Sequence, residues 1–319
     1  MDTFGFLFFG QWALIASAAY FCQAINIILD KILLGERRIA SPISYAFYGG
    51  VWSILALMLA PLGMKVLSFA DFFMPSPRLI LLAFASGAAS IFALWTFYAA
   101  VKAGEPTRVA TALGGLSPVF VLLLSFLFFG VSPDAKQLAA VAFFICGGLL
   151  VSYRRRDMEK TFLPHESFLL IVLAAFLFAV TFTVEKVIFN DAPFVQGFVW
   201  TRIGAFVTAT SLLLFPVLRA GIRRWSPRTD ARTSGLFIVN KLIGASVFFL
   251  LSVAISIAHS SEISIINAMQ GFQYMLVFVL ALAYSFWRPA LLSERLDAGA
   301  VMRKILAIAL ISLGFYLLS

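Results

Sequence analysis

Charge is what this sequence has least of. Of its 319 residues only 12% are charged while 62% are hydrophobic, whereas an ordinary globular domain carries about 25% charged residues. The charges that remain lie between long apolar stretches, not along one face of each. That pattern, with a mean hydropathy of +0.98, excludes a water-soluble enzyme, a nucleic-acid binder and a disordered chain. Cysteine is almost absent. Cys22 and Cys146 sit in separate apolar runs and make no disulfide or metal framework. Histidine is as rare: His165 and His259 lie at run edges with no His-x-x-x-His spacing, and Glu166 reads as a solvated helix start. Without a nucleophile–base pair or metal-ligand spacing, no enzyme, metal or cofactor is expected. Nor is there a Gly-x-x-x-x-Gly-Lys-Ser/Thr loop to hold a nucleotide.

Long apolar runs fill the rest. A helix needs about 20 apolar residues to cross a hydrocarbon core of about 30 Å. Ten such runs occur, at 4–30, 43–63, 79–101, 107–129, 138–153, 167–189, 194–217, 234–258, 264–287 and 301–318. They are continuous, not alternating, which argues against a membrane β-barrel. The expected fold is an all-α membrane protein with ten transmembrane helices and short loops. The first run has no basic start and is too long for a cleaved leader, so it reads as a retained helix.

Of the 24 Lys and Arg, 18 fall in loops on one side, four on the other, and Arg202 and Lys241 inside runs. Cytoplasmic loops carry the excess of positive charge, so the first side is expected to be cytoplasmic and both termini outside. The pI of about 9.8 then reflects loops, with no need of a nucleic-acid partner. Arg154, Arg155, Arg156 and Lys160 read as an anchor on anionic lipid headgroups.

An internal repeat organises the chain. Gly87-Ala88, Glu105 and Gly114 recur as Gly244-Ala245, Glu262 and Gly271, all at an offset of 157. Asp30-Lys31 closes the first run as Glu185-Lys186 closes the sixth, and Pro42…Phe47 opens the second as Pro193…Phe198 opens the seventh. Carboxylates in register argue against coincidence. Residues 1–160 and 161–319 therefore read as two five-helix repeats, and five, being odd, inverts the second. Inverted halves can alternately open a shared cavity to either face.

The fourth run, Ala112-Leu-Gly-Gly-Leu-Ser-Pro118 continuing to Gly130, resembles the span with a mid-helix proline in the drug/metabolite transporter superfamily, specifically the ten-helix EamA-like carriers. Helix number, repeats and length extend the resemblance over nearly the whole chain. It implies a transporter, without naming a substrate. It also implies cytoplasmic ends, opposite to the loop-charge reading. The chain departs from the pattern where Val131 follows Gly130 in place of an acidic residue, and where Met275 stands opposite Pro118 in the second repeat; Glu294 follows the corresponding run there.

Polar groups inside the runs are the candidate site, because ionised side chains in hydrocarbon are costly and face cavities or partners. Arg202 is too deep to snorkel easily and either binds an anionic solute or pairs with a carboxylate, Glu185 being the candidate. Lys241 either snorkels or joins the site. Asn267, Gln270 and Gln273, three apart, form one helical stripe bordered by Tyr274. Gln23 and Asn26 form a smaller stripe that Asp30 extends, and Asp30 and Glu185 are the candidate coupling carboxylates. Gly114, Gly115 and Pro118 are expected to interrupt the fourth helix, either exposing backbone to solute or merely kinking it. Trp95, with Trp52, Tyr98 and Trp200, is a candidate pocket wall. The expected function is a secondary carrier for a small polar or amphipathic metabolite, anionic or zwitterionic, in a bacterial inner membrane. The alternative is a non-transporting membrane scaffold or sensor.

Overall fold

The computed structural model describes residues 10–34, 42–103, 106–130, 133–152, 165–223, 231–287 and 298–318. Every regular element among them is helical. In order these are α1 (Gln11–Leu34), α2 (Pro42–Trp52), α3 (Ala60–Gly63), α4 (Phe69–Phe73), α5 (Pro77–Ala103), α6 (Pro106–Phe129) and α7 (Ala135–Ser152). There follow α8 (His165–Asp191), α9 (Phe194–Ser211), α10 (Pro216–Arg223), α11 (Ala231–Ile257), α12 (Ile263–Ala268), α13 (Gln270–Trp287) and α14 (Ala298–Leu318). Among the described residues seven stretches are long and apolar enough to cross a membrane: Gln11–Leu29, Pro42–Gly63, Pro77–Ala100, Ala112–Phe129, Phe168–Asp191, Phe194–Leu214 and Ile238–Ile257. Large apolar side chains such as Leu123, Phe126, Leu127 and Phe128 of α6 face outward, as a bilayer-embedded surface requires. The chain is an integral multi-pass membrane protein.

Local chemistry sets the helix ends. Ser76 Oγ accepts from the Leu79 backbone N–H before α5, and Pro77, Pro106 and Pro216 open their helices where an N–H has no intrahelical partner anyway. Asp134 and Gln137 form a reciprocal cap ahead of α7, at 2.7 and 3.1 Å. Gly130, at φ 64°, stops α6 in a conformation that other residues rarely adopt.

The expectation about helix interruption changes. Helix α6 runs unbroken through Gly114, Gly115 and Pro118. Proline removes one backbone bond, but the surrounding turns and neighbouring helices hold the segment. The break falls instead in the ninth run, where Met269 separates α12 from α13. The second run also tightens into a 3-10 stretch, Ser53–Leu59, before α3.

Helix α5 packs along both α8 and α9, α11 along α1, and α7 along α14. Small residues bring backbones close. A Cβ on Gly87 would overlap the Ala205 backbone nitrogen, and one on Gly204 would lie 2.6 Å from the Ala83 carbonyl oxygen. Gly271 abuts the Phe144 carbonyl in the same way. Within a membrane, where lipid competes for apolar contact, close approach of small residues is a main source of helix association.

Candidate functional site

Helix α9 starts at Phe194, and Arg202 is eight residues in, about 12 Å at 1.5 Å per residue. Its guanidinium pairs with the Glu185 carboxylate of α8, and both side chains are buried. Ser252 of α11 donates to the other Glu185 oxygen at 3.2 Å. Two rings contact the cation, with its carbon 5.2 Å from the Phe198 centroid and 5.3 Å from that of Phe248. Phe198 and Phe194 also meet Phe249 edge-on, at 5.5 and 5.8 Å. Three helices thus converge on one neutralised pair. Ser53 donates to the Arg202 carbonyl at 2.8 Å. Arg202 Nε is buried with no hydrogen-bond partner.

Adjacent residues in α8 point apart. Lys186, next to Glu185, is buried and donates to the Ala258 and Ser256 carbonyls at the end of α11. Those are terminal carbonyls with no intrahelical donor, so the ammonium supplies both a hydrogen bond and a charge suited to a helix C-terminus. Lys186, one of the four cations that the sequence places in loops on the less basic side, lies buried against α11 instead.

Lys241 does not simply snorkel. Its ammonium lies 3.4 Å from the centroid of the Tyr45 ring in α2, a cation–π contact. Asn240 Nδ2 donates to the Tyr45 hydroxyl at 3.4 Å, and Tyr98 of α5 packs its ring 4.4 Å from Tyr45.

The amide stripe is divided by the break at Met269. Asn267 lies in α12, fully buried, with neither amide atom hydrogen-bonded. Gln273 is buried and Gln270 half-buried in α13. Just before Asn267, the Ile266 carbonyl accepts from Tyr20 of α1 at 2.6 Å, which ties α1 to α12. Further along α1, Gln23 and Asn26 are half-buried. The Asn26 amide faces Gly244 of α11, and its Oδ1 is buried without a partner. The side chains of Asp30 and Tyr274 lie outside the described residues.

Trp95 packs with the α2–α5–α9 cluster around Ile43, Phe47, Ile91 and Ala205. Trp200 donates to the Phe72 carbonyl at 3.0 Å, which anchors the segment after α3 and is no open wall. Sequence reasoning missed Ser252, Phe198, Phe248 and Tyr45. A lone serine and three aromatics in so apolar a chain carry no spacing signal; only their helix partners single them out. Among the described residues no three metal-ligating side chains come together. A cavity of about 240 Å³ lies elsewhere, at the start of α5 and end of α8, beside the exposed Arg78–Asp191 pair at 3.3 Å.

A solved crystal structure is similar over 96% of this chain and 97% of its own length, with a TM-score of 0.66 at 13% identity, a likeness of fold. No curated protein matches the sequence. Residues 10–153 match the model of the EamA-like transporter family. Through that first half, as its proline-bearing fourth run implied, the chain is similar to the EamA-like transporter family, within the drug/metabolite transporter superfamily.

Proposed function

We propose that this transporter is a secondary carrier that moves a small polar or amphipathic solute, anionic or zwitterionic, by alternating access between two inverted five-helix repeats, residues 1–160 and 161–319. The observation that carries the reading is Arg202, a permanent cation buried on three converging helices whose carboxylate partner, Glu185, sits on a different helix from its own. Guanidinium binds carboxylates of any origin in the same forked geometry, so a solute carboxylate can exchange with Glu185. Lodged at the α12–α13 break, the unpartnered Asn267 amide supports a polar solute near by, because such a group costs free energy unless something pairs with it. Gln23, Asn26, Gln270, Gln273, Tyr274 and Lys241 line the same path in this reading. Asp30 and Glu185 carry the coupling charge, and the basic loops face the cytoplasm. Packing supports the repeat as well: α5 lies along α8 as α11 lies along α1, the pairs that an offset of 157 interchanges.

The experiment is a solute screen in cells with and without the protein, covering amino acids, organic acids and organic cations, followed by reconstitution of the hits. Carriage of carboxylates that disappears in Arg202→Gln supports the reading. Hits confined to cations overturn the solute class, and no hit in any class favours a scaffold or sensor.

A further inference from the structure

The span Phe194–Leu214 ends where α10 begins, on the side that carries the basic loops. Helix α10 has eight residues, about 12 Å at 1.5 Å per residue, too short to cross the bilayer. Its residues divide into three stripes. Leu218 and Ile222, four apart, face inward. Ile222 is buried with Leu212 and with Ile43 and Phe47 of α2, and Leu218 packs against the same cluster. Ser44 of α2 donates to the Gly221 carbonyl at 3.2 Å. One step of about 100° to either side of Leu218 stand Val217 and Arg219, both exposed. The apolar flank continues backward along the chain: Val217 is 82% exposed, Leu214 80% and Phe215 57%. The basic flank continues forward in the sequence, where residues 216–232 hold five arginines against one aspartate.

We propose that α10 is a docking surface for anionic phospholipid in the leaflet on the basic-loop side. Val217 and Phe215 lie against the acyl chains and Arg219 meets the phosphates. Charge complementarity selects this occupant. A helix with one apolar and one basic flank lies in the plane of the interface, its apolar side at the acyl boundary and its cations among the headgroups. A segment of net positive charge draws anionic lipid in preference to neutral lipid. Three large apolar side chains exposed within four positions, beside a cation, mark a patch that water suits badly. The inward contacts matter as well. Ile222 and the Ser44 hydrogen bond hold α10 against α2, so the surface exists before lipid arrives and binding orders no loose segment. None of this depends on which solute is carried.

The test uses the full chain, one copy per lipid nanodisc, in phosphatidylcholine alone or mixed with phosphatidylglycerol. Amide hydrogen exchange over residues 217–222 is expected to be roughly fivefold slower in the anionic discs, the scale of one arginine at such a surface. High salt should shrink the difference, because exposed charges are screened. Arg219→Gln should remove most of it and leave exchange in neutral discs unchanged. Val217→Gln should speed exchange in both kinds of disc, since it takes away the acyl contact. Both side chains are exposed, so neither change disturbs the packed interior, and gel filtration checks each variant first. Lys65→Gln, which removes an exposed cation near the opposite face, should alter nothing. Equal exchange in the two lipids overturns the inference. A difference that survives Arg219→Gln, one that Lys65→Gln also removes, or unchanged exchange in Val217→Gln does the same. Protection that appears only with two copies per disc would assign the face to self-association and would overturn it too.

Discussion

Glu185 and Arg202 stand 17 positions apart in sequence and meet as an ion pair in the buried interior, where α8 gives the carboxylate and α9 the guanidinium. Such a pair contributes little net stability, because stripping both groups of water offsets their attraction, whereas removing one partner leaves a bare charge and costs about 3–5 kcal/mol. Arg202→Gln and Glu185→Gln should therefore differ. Glutamine at 202 abandons an ionised carboxylate; glutamine at 185 abandons a guanidinium that cannot lose its proton. The double variant should recover much of the thermal stability in detergent that each single change loses, while still failing to carry solute. A double variant no more stable than the singles would show that the pair is not the shared element.

Lys186→Met probes a separate function of the neighbouring position. The ammonium holds two terminal carbonyls of α11, and hydrogen bonds to charged groups are worth about 1.5–3 kcal/mol. Losing them should lower the melting temperature and speed hydrogen exchange at the end of α11, residues 254–258, with little effect at the start of that helix. Uniform loss of protection along α11 would contradict a capping role.

The helices were legible in the sequence because continuous apolar runs can satisfy their backbone only as helices in lipid. Arg202 was legible because charge in such a run has to be compensated, and the choice between solute and Glu185 needed coordinates. Two features misled. Pro118 signals a break that α6 absorbs, since one missing N–H is a local loss. The actual break at Met269 follows Asn267 and Ala268 and bears no proline or glycine before Gly271, so nothing in residue type announces it. The partner of Lys241 was out of reach for another reason: Tyr45 lies 196 positions away, and no periodicity links one tyrosine to one lysine across repeats.

Gly87 and Gly244, equivalent in the repeat, should answer differently to the same substitution. At Gly87 an added Cβ overlaps the Ala205 backbone nitrogen, while at Gly244 the nearest atom is at 3.5 Å, an ordinary contact. Gly87→Ala should cost about 1–3 kcal/mol through overpacking, visible as lower folded yield and melting temperature. Gly244→Ala should be neutral, and slightly stabilising where alanine improves helix propensity by about 1 kcal/mol. Equal responses would mean that the two glycines are packed alike.

Asn267 is the position where stability and transport should move in opposite directions. Its amide is fully buried and neither polar atom is paired, so replacing it removes no protein hydrogen bond and relieves a desolvation cost of about 1–3 kcal/mol. Asn267→Leu, close in volume and wholly apolar, should raise the melting temperature. If the amide pairs with solute, the same change should reduce carriage by about tenfold, the equivalent of 1.4 kcal/mol, through weaker binding more than through slower turnover. A structural amide predicts the reverse pattern: stability falls and any loss of carriage follows the loss of folded protein. Measuring both quantities on one preparation separates a group kept for solute from a group kept for the fold.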